Sequence, residues 1–94
     1  MTSLSEIKEK ATPILKTAGA IRAEIFGSYA RGEANEQSDV DILIEPPDGM
    51  TLFDMAGIVE ELEHTLGYRV DLLTYGAIHP RLKSYISKDA ITIF

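Results

Sequence analysis

Apolar residues recur along this chain at two spacings, and the spacing alternates between them. In "SLSEIKEKATPILKTAG" they step as on a helix. Ser3 followed three residues later by Glu6 makes a capping-box start, and Gly19 supplies a stop. Pro13 lies inside this segment and predicts a kink or a division of the helix. "IRAEIF" is short, carries β-branched Ile21 and Ile25 near its two ends and is followed by glycine, so it predicts a strand. Room for a short helix follows, from about Tyr29 to Arg31. "DVDILIE" alternates, with Val40, Ile42 and Ile44 on one face and Asp39, Asp41 and Leu43 on the other. This predicts a strand with one packed apolar face. "EPPDGM" carries turn residues.

The clearest helix is "TLFDMAGIVEELEHTLG". Leu52, Met55, Val59, Leu62 and Leu66 step by three and four, Thr51 caps, and Gly67 terminates. "YRVDLLTY" predicts another strand, with Val70 and Leu72 opposite Asp71. "HPRLKSYI" predicts a helix entered through Pro80, and "AITIF" a closing edge strand. Strands alternating with helices predict an α/β (α+β) fold, a small sheet of three to four strands flanked by helices. The gap from Phe26 to Val40 is short for a parallel crossover, which favours a mixed sheet. No repeat or linker interrupts the pattern, so residues 1–94 read as one domain.

Composition narrows the chemistry. There is no cysteine, which excludes disulfides, thiolate metal sites and cysteine nucleophiles. No apolar run is long enough to span a membrane, and "MTSLSEIKEK" is too polar for a secretory signal, so a cytoplasmic protein is expected. Nine Lys and Arg are scattered among fifteen Asp and Glu, for a net charge of −6. Without a basic block, broad binding to long nucleic acid is not expected. A small anion held locally beside metal ions stays open, and the acidity suits a basic protein partner.

Residues two apart on a strand share a face, so Asp39 and Asp41 are neighbours that repel unless a cation lies between them. An isolated Asp-x-Asp is usually a solvated strand face. Here Asp71 sits on the matching face of a second predicted strand and joins them if the strands are adjacent. Three carboxylates without a His or Cys cluster suit Mg²⁺ or Mn²⁺ rather than zinc. Gly27-Ser28 stands at a strand-to-helix junction, where glycine admits a ligand and serine adds a donor for phosphate. Neither a P-loop nor a dinucleotide-binding turn is present.

"GSYARGEANEQSDVDILI" resembles the signature of nucleotidyltransferases of the DNA polymerase β superfamily: Gly-Ser, ten residues, then Asp-x-Asp. The length is similar to that of the minimal members, the MNT proteins. The resemblance implies a polymerase β-like fold and two-metal transfer of a nucleoside monophosphate from an NTP to a hydroxyl. It implies that Asp39, Asp41 and Asp71 are catalytic and hold two Mg²⁺ or Mn²⁺ ions. Gly27 and Ser28 would bind the β- and γ-phosphates. Arg31 would either reach phosphate or pair with Glu33, Glu36 or another acid. Ser38 could simply turn the chain into the strand. His64 reads as a surface histidine, and His79 as a helix-entry residue that could lie near the site mouth. Tyr29, Tyr68, Tyr75 and Tyr85 read mainly as packing residues, with self-modification as the other use.

Larger relatives carry an added domain for the acceptor, and a chain this short leaves no room for one. Minimal members resembling it are commonly antitoxins that transfer AMP from ATP to a tyrosine of a HEPN-family toxin. The resemblance therefore implies AMPylation of a HEPN partner within a hetero-oligomer. Two alternatives stay open: a non-catalytic antitoxin that neutralises by binding, and a transferase acting on a small molecule or an RNA end.

Overall fold

The computed structural model describes residues 3–94. The chain begins with α1 (Leu4–Thr17), then β1 (Arg22–Phe26), α2 (Gly27–Ala30), β2 (Val40–Glu45) and α3 (Leu52–Leu66). After β3 (Val70–Thr74) come a 3-10 turn at Tyr75–Ala77, α4 (Pro80–Asp89) and β4 (Ile91–Thr92). The strands form one sheet in the order β3-β2-β1-β4. β2 pairs antiparallel with β1 and parallel with β3, while β4 closes the far edge antiparallel to β1. The expected mixed sheet is therefore present. Its parallel pair is the one joined through a full helix, as a parallel connection requires.

Alternation along the strands decides which face receives which helices. Ala23, Ile25, Val40, Ile42, Ile44, Val70 and Leu72 share one buried cluster with Ile7, Ala11 and Leu15 of α1 and Ile58, Leu62 and Leu66 of α3. Burying each large aliphatic side chain there contributes about 1.5–3 kcal/mol, so this face anchors the fold. The opposite face is covered only in part. Phe26, Leu43 and Ile78 make a second small cluster beneath Ile86 of α4 and Ala90, which caps its end. Leu43 is thus buried although it alternates with the acids, because α4 roofs the middle of that face. The end carrying Asp41 and Asp71 lies outside this apolar roof.

Local signals explain the helix ends. Ser3 Oγ accepts from the Glu6 N–H at 3.2 Å. Gly19, at φ +88°, ends α1 with its N–H on Lys16 O and the Ala20 N–H on Leu15 O, the paired bonds of a Schellman motif. Thr51 and Asp54 form a reciprocal capping box, and Gly67 at φ +78° ends α3.

Three expectations need correction. Pro13 does not divide the first helix: a single helix runs across it, with the proline on its exposed side. Pro13 removes one backbone donor, while Ile7, Ala11, Ile14 and Leu15 hold both halves on the core. The short helix begins at Gly27 itself rather than near Tyr29. The apolar stripe of α3 also excludes its first member: Leu52 is 84% exposed, and Ile58 takes part in the core instead.

Candidate active site

The site is assembled where β1 ends and β2 and β3 begin. In the parallel register Asp41 stands directly beside Asp71, and in the antiparallel register Phe26 stands beside Asp41. Gly27 follows Phe26, so the Gly-Ser step and the carboxylates are brought together by strand pairing alone. Gly27 adopts φ +73°, and a Cβ built on it would overlap Asp41 Oδ2. Glycine is therefore required twice here, once for the left-handed backbone and once for the close approach of a carboxylate.

Asp41 is half-buried, and its carboxyl is pushed up from 3.8 to about 6. Loss of hydration is the largest cause, followed by the negative charges of Asp71 and Asp39, against which Arg31 pulls it down. Among the described residues no Lys, Arg or His forms an ion pair with Asp41 or Asp71. The other end of the same face differs. There Arg22 pairs with Glu45 at 3.2 Å, and the Tyr75 hydroxyl donates to Glu24. Charge is satisfied internally at that end and left open at the Asp41 end.

Asp39 lies one residue before β2, on the side of Asp41, and pairs with Arg69 Nε at 3.3 Å. No three acidic or imidazole side chains among the described residues converge into a ready-made metal cage. The donor set still fits a hard divalent ion. Mg²⁺ is normally held by one or two carboxylates together with substrate phosphates, not by an all-protein cage. Asp41 and Asp71 supply such a pair, and their mutual repulsion is what a cation relieves. Zinc would want imidazole or thiolate donors, which are absent from this end.

Ser28 is half-buried in α2, and its carbonyl accepts from the Glu33 N–H at 2.9 Å. Arg31 pairs with Glu33 at 3.0 Å, the ion pair that was one of its two expected uses. It also borders a cleft of about 440 Å³ shared with Gly27, Tyr85 and Asp89. Arg69 and the α4 residues of this cleft are what sequence reasoning missed. For Arg69 the signal was available, since it is two residues from Asp71 in an extended segment. For Tyr85 and Asp89 there was none, because only the packing of α4 brings them to Gly27. His64 and His79 are exposed, and His79 caps α4 by accepting from the Arg81 N–H at 3.1 Å. Tyr29 is buried against Tyr68, its hydroxyl unpaired, so it serves packing rather than modification.

A profile for the nucleotidyltransferase domain matches residues 5–93. The chain belongs to the nucleotidyltransferase family. It is 50% identical over 91 residues to a Methanocaldococcus jannaschii protein provisionally named a protein adenylyltransferase, covering 97% of this chain and 98% of that one. The protein adenylyltransferase MntA of Thermococcus cleftensis is 39% identical over 95 residues, covering 97% and 92%. A solved structure provisionally described as a minimal nucleotidyltransferase superposes with a TM-score of 0.82 at 40% identity, covering 94% and 90%. A chain from a complex described as a tri-AMPylated Shewanella oneidensis HEPN toxin with an MNT antitoxin shares the fold. Its TM-score is 0.75 at 17% identity, covering 96% and 71%. The minimal nucleotidyltransferase of the polymerase β superfamily expected from the signature is thus established, and with it an enzyme that transfers nucleotidyl groups.

Two outcomes follow from this geometry. Between about pH 4 and 6 the folded chain keeps a proton on Asp41 that the unfolded chain has lost. Stability of the metal-free protein therefore falls as pH rises through that window. Asp41→Asn, which cannot ionise, flattens the dependence and raises Tm at pH 7.5; a lower Tm there contradicts the electrostatic reading. Gly27→Ala costs about 1–3 kcal/mol through its strained φ alone and displaces Asp41, seen as a lower Tm together with lost transfer. Unchanged values of both contradict the close approach.

Proposed function

We propose that this protein is a metal-dependent adenylyltransferase that moves AMP from ATP to a hydroxyl of a partner protein, and that the partner is a HEPN-type toxin which it silences. The observation that carries the reading is the juxtaposition of Asp41, Asp71 and Gly27 at one end of the sheet. The names of the relatives support AMP as the group transferred, and the Shewanella complex supports a toxin as the acceptor. We read residues 1–94 as one domain that performs the chemistry, within a hetero-oligomer that presents the acceptor. Among the described residues no helix is long and apolar enough to cross a membrane, which is compatible with a cytoplasmic site of action.

Asp39, Asp41 and Asp71 would hold two Mg²⁺ or Mn²⁺ ions. Bound there, such ions neutralise charge on the triphosphate and on the attacking and leaving oxygens. The chain's own groups account for the rest. Gly27 removes side-chain bulk so that the outer phosphates approach the backbone, and Ser28 offers a hydroxyl and an amide at the same step. Arg31, at the rim of the adjoining cleft, adds positive charge toward phosphate once it leaves Glu33. Asp71 lies beside Asp41 in register and would accept the acceptor's proton. The attacking hydroxyl oxygen forms a new bond to the α-phosphorus, the bond to pyrophosphate breaks, and the hydroxyl proton passes to the carboxylate. Positioning and charge neutralisation of this kind are most of what phosphoryl-type transfer asks of a protein.

Incubation with Mg²⁺, ATP and a HEPN-type protein from the same genome, followed by mass spectrometry, tests this directly. The partner gains about 329 Da per AMP, and Asp41→Asn/Asp71→Asn removes the gain. Full neutralisation of the partner by that double variant, with no adduct from the wild type, would replace the enzyme by a binding-only antitoxin.

A further inference from the structure

The first turn of α3 carries the two most exposed large apolar side chains described, Phe53 at 89% and Leu52 at 84%. Phe53 walls a groove of about 550 Å³ between the end of α1, the turn after β2 and the outer side of α3. Three carboxylates line it, Asp48, Asp54 and Glu61, and no Lys, Arg or His does. Gly57 lies in the groove in the middle of α3. A Cβ there would meet no atom within 4 Å, and its φ is not in the left-handed region. Nothing inside the chain therefore requires glycine at this position, although glycine costs a helix about 1 kcal/mol relative to alanine. An open glycine between an exposed aromatic and an acidic rim is what close packing of another helix uses.

We infer that this groove docks the acceptor protein through an amphipathic helix whose apolar ridge is flanked by Lys or Arg. The inference rests on the reading above that the acceptor is a protein, and it adds where that protein is gripped. Charge and access to the candidate active site together decide the occupant. A second copy presenting the same groove would bring two acidic rims together. Its α4 carries Leu82 and Tyr85 among Arg81, Lys83 and Lys88 and would suit the rim. But Tyr85 also lines the cleft beside Gly27, so seating α4 in a neighbour's groove would close the candidate active site. The groove begins where β2 ends, whereas Asp41 stands near the start of β2. At about 3.3 Å per strand residue, the strand alone separates the two by roughly 13 Å. Docking there leaves the active site open and raises the local concentration of the acceptor hydroxyl.

Isothermal titration calorimetry against a HEPN-type protein from the same genome tests the assignment, with Phe53→Asp, Gly57→Leu and Asp41→Asn as variants. Phe53→Asp and Gly57→Leu raise Kd at least about tenfold, an effect of 1.4 kcal/mol or more. Gly57→Leu does so with an unchanged or higher Tm, which separates blocked docking from misfolding. Asp41→Asn binds like the wild type, and raising salt from about 50 to 500 mM weakens the wild-type complex. Unchanged Kd in both α3 variants, or no wild-type complex at all, overturns the assignment. Self-association of the protein alone that Phe53→Asp abolishes also overturns it, in favour of a second copy. Wild-type binding without AMP transfer would instead refute the transferase reading and leave the groove standing.

Discussion

Asp41 and Asp71 are held side by side by the parallel register of β2 and β3, and the repulsion between them is the constraint around which this end of the sheet is built. A protein selected for stability alone would place a cation or an apolar residue at one of the two positions. Instead, burial and two neighbouring acids push the Asp41 carboxyl up to about 6, and no basic side chain among the described residues pairs with it. Unrelieved charge of this kind is affordable because the opposite face buries a continuous aliphatic cluster from both long helices. The stabilising and the reactive sides of one sheet are thereby separated by strand alternation.

The same register explains why a single backbone position controls the site. Phe26 pairs with Asp41, so the next residue turns away from the sheet directly against that carboxylate. Only glycine accommodates both the backbone angle and the contact. α4 completes the arrangement by covering Leu43 and Phe26 while leaving the acidic end uncovered, with Tyr85 and Asp89 bordering the cleft beside Gly27. The family relationship and the geometry agree on nucleotidyl transfer. The proposed protein acceptor then gives a use to the exposed apolar side chains Leu52 and Phe53 at the start of α3.

Much of this was legible in the residues. Alternation in "DVDILIE" and "RVDLL" put Asp41 and Asp71 each on the face opposite the apolar residues of its own strand, and the parallel register of β2 and β3 then brings the two together. The caps at Ser3, Thr51, Gly19 and Gly67 are local signals, and each helix ends where they predict. What sequence patterns missed depended on tertiary packing. Pro13 did not divide α1 because the buried stripe on both sides of it outweighs one lost hydrogen bond. Leu52 fits the helical spacing of α3 but stays exposed in its first turn, so periodicity alone misplaced it. The ion pair of Asp39 with Arg69 and the approach of Tyr85 to Gly27 depend on how separate elements meet, which no local pattern encodes.

The central claim is that Asp41 and Asp71 form the metal-binding half of a nucleotide site whose phosphate-binding half is Gly27-Ser28. A crystal structure with Mn²⁺ and a non-hydrolysable ATP analogue, with the ions located by anomalous scattering, tests it most directly. The account predicts Mn²⁺ between the Asp41 and Asp71 carboxylates, with the outer phosphates against Gly27 and Ser28. Nucleotide bound elsewhere, or manganese that avoids both carboxylates, would contradict it.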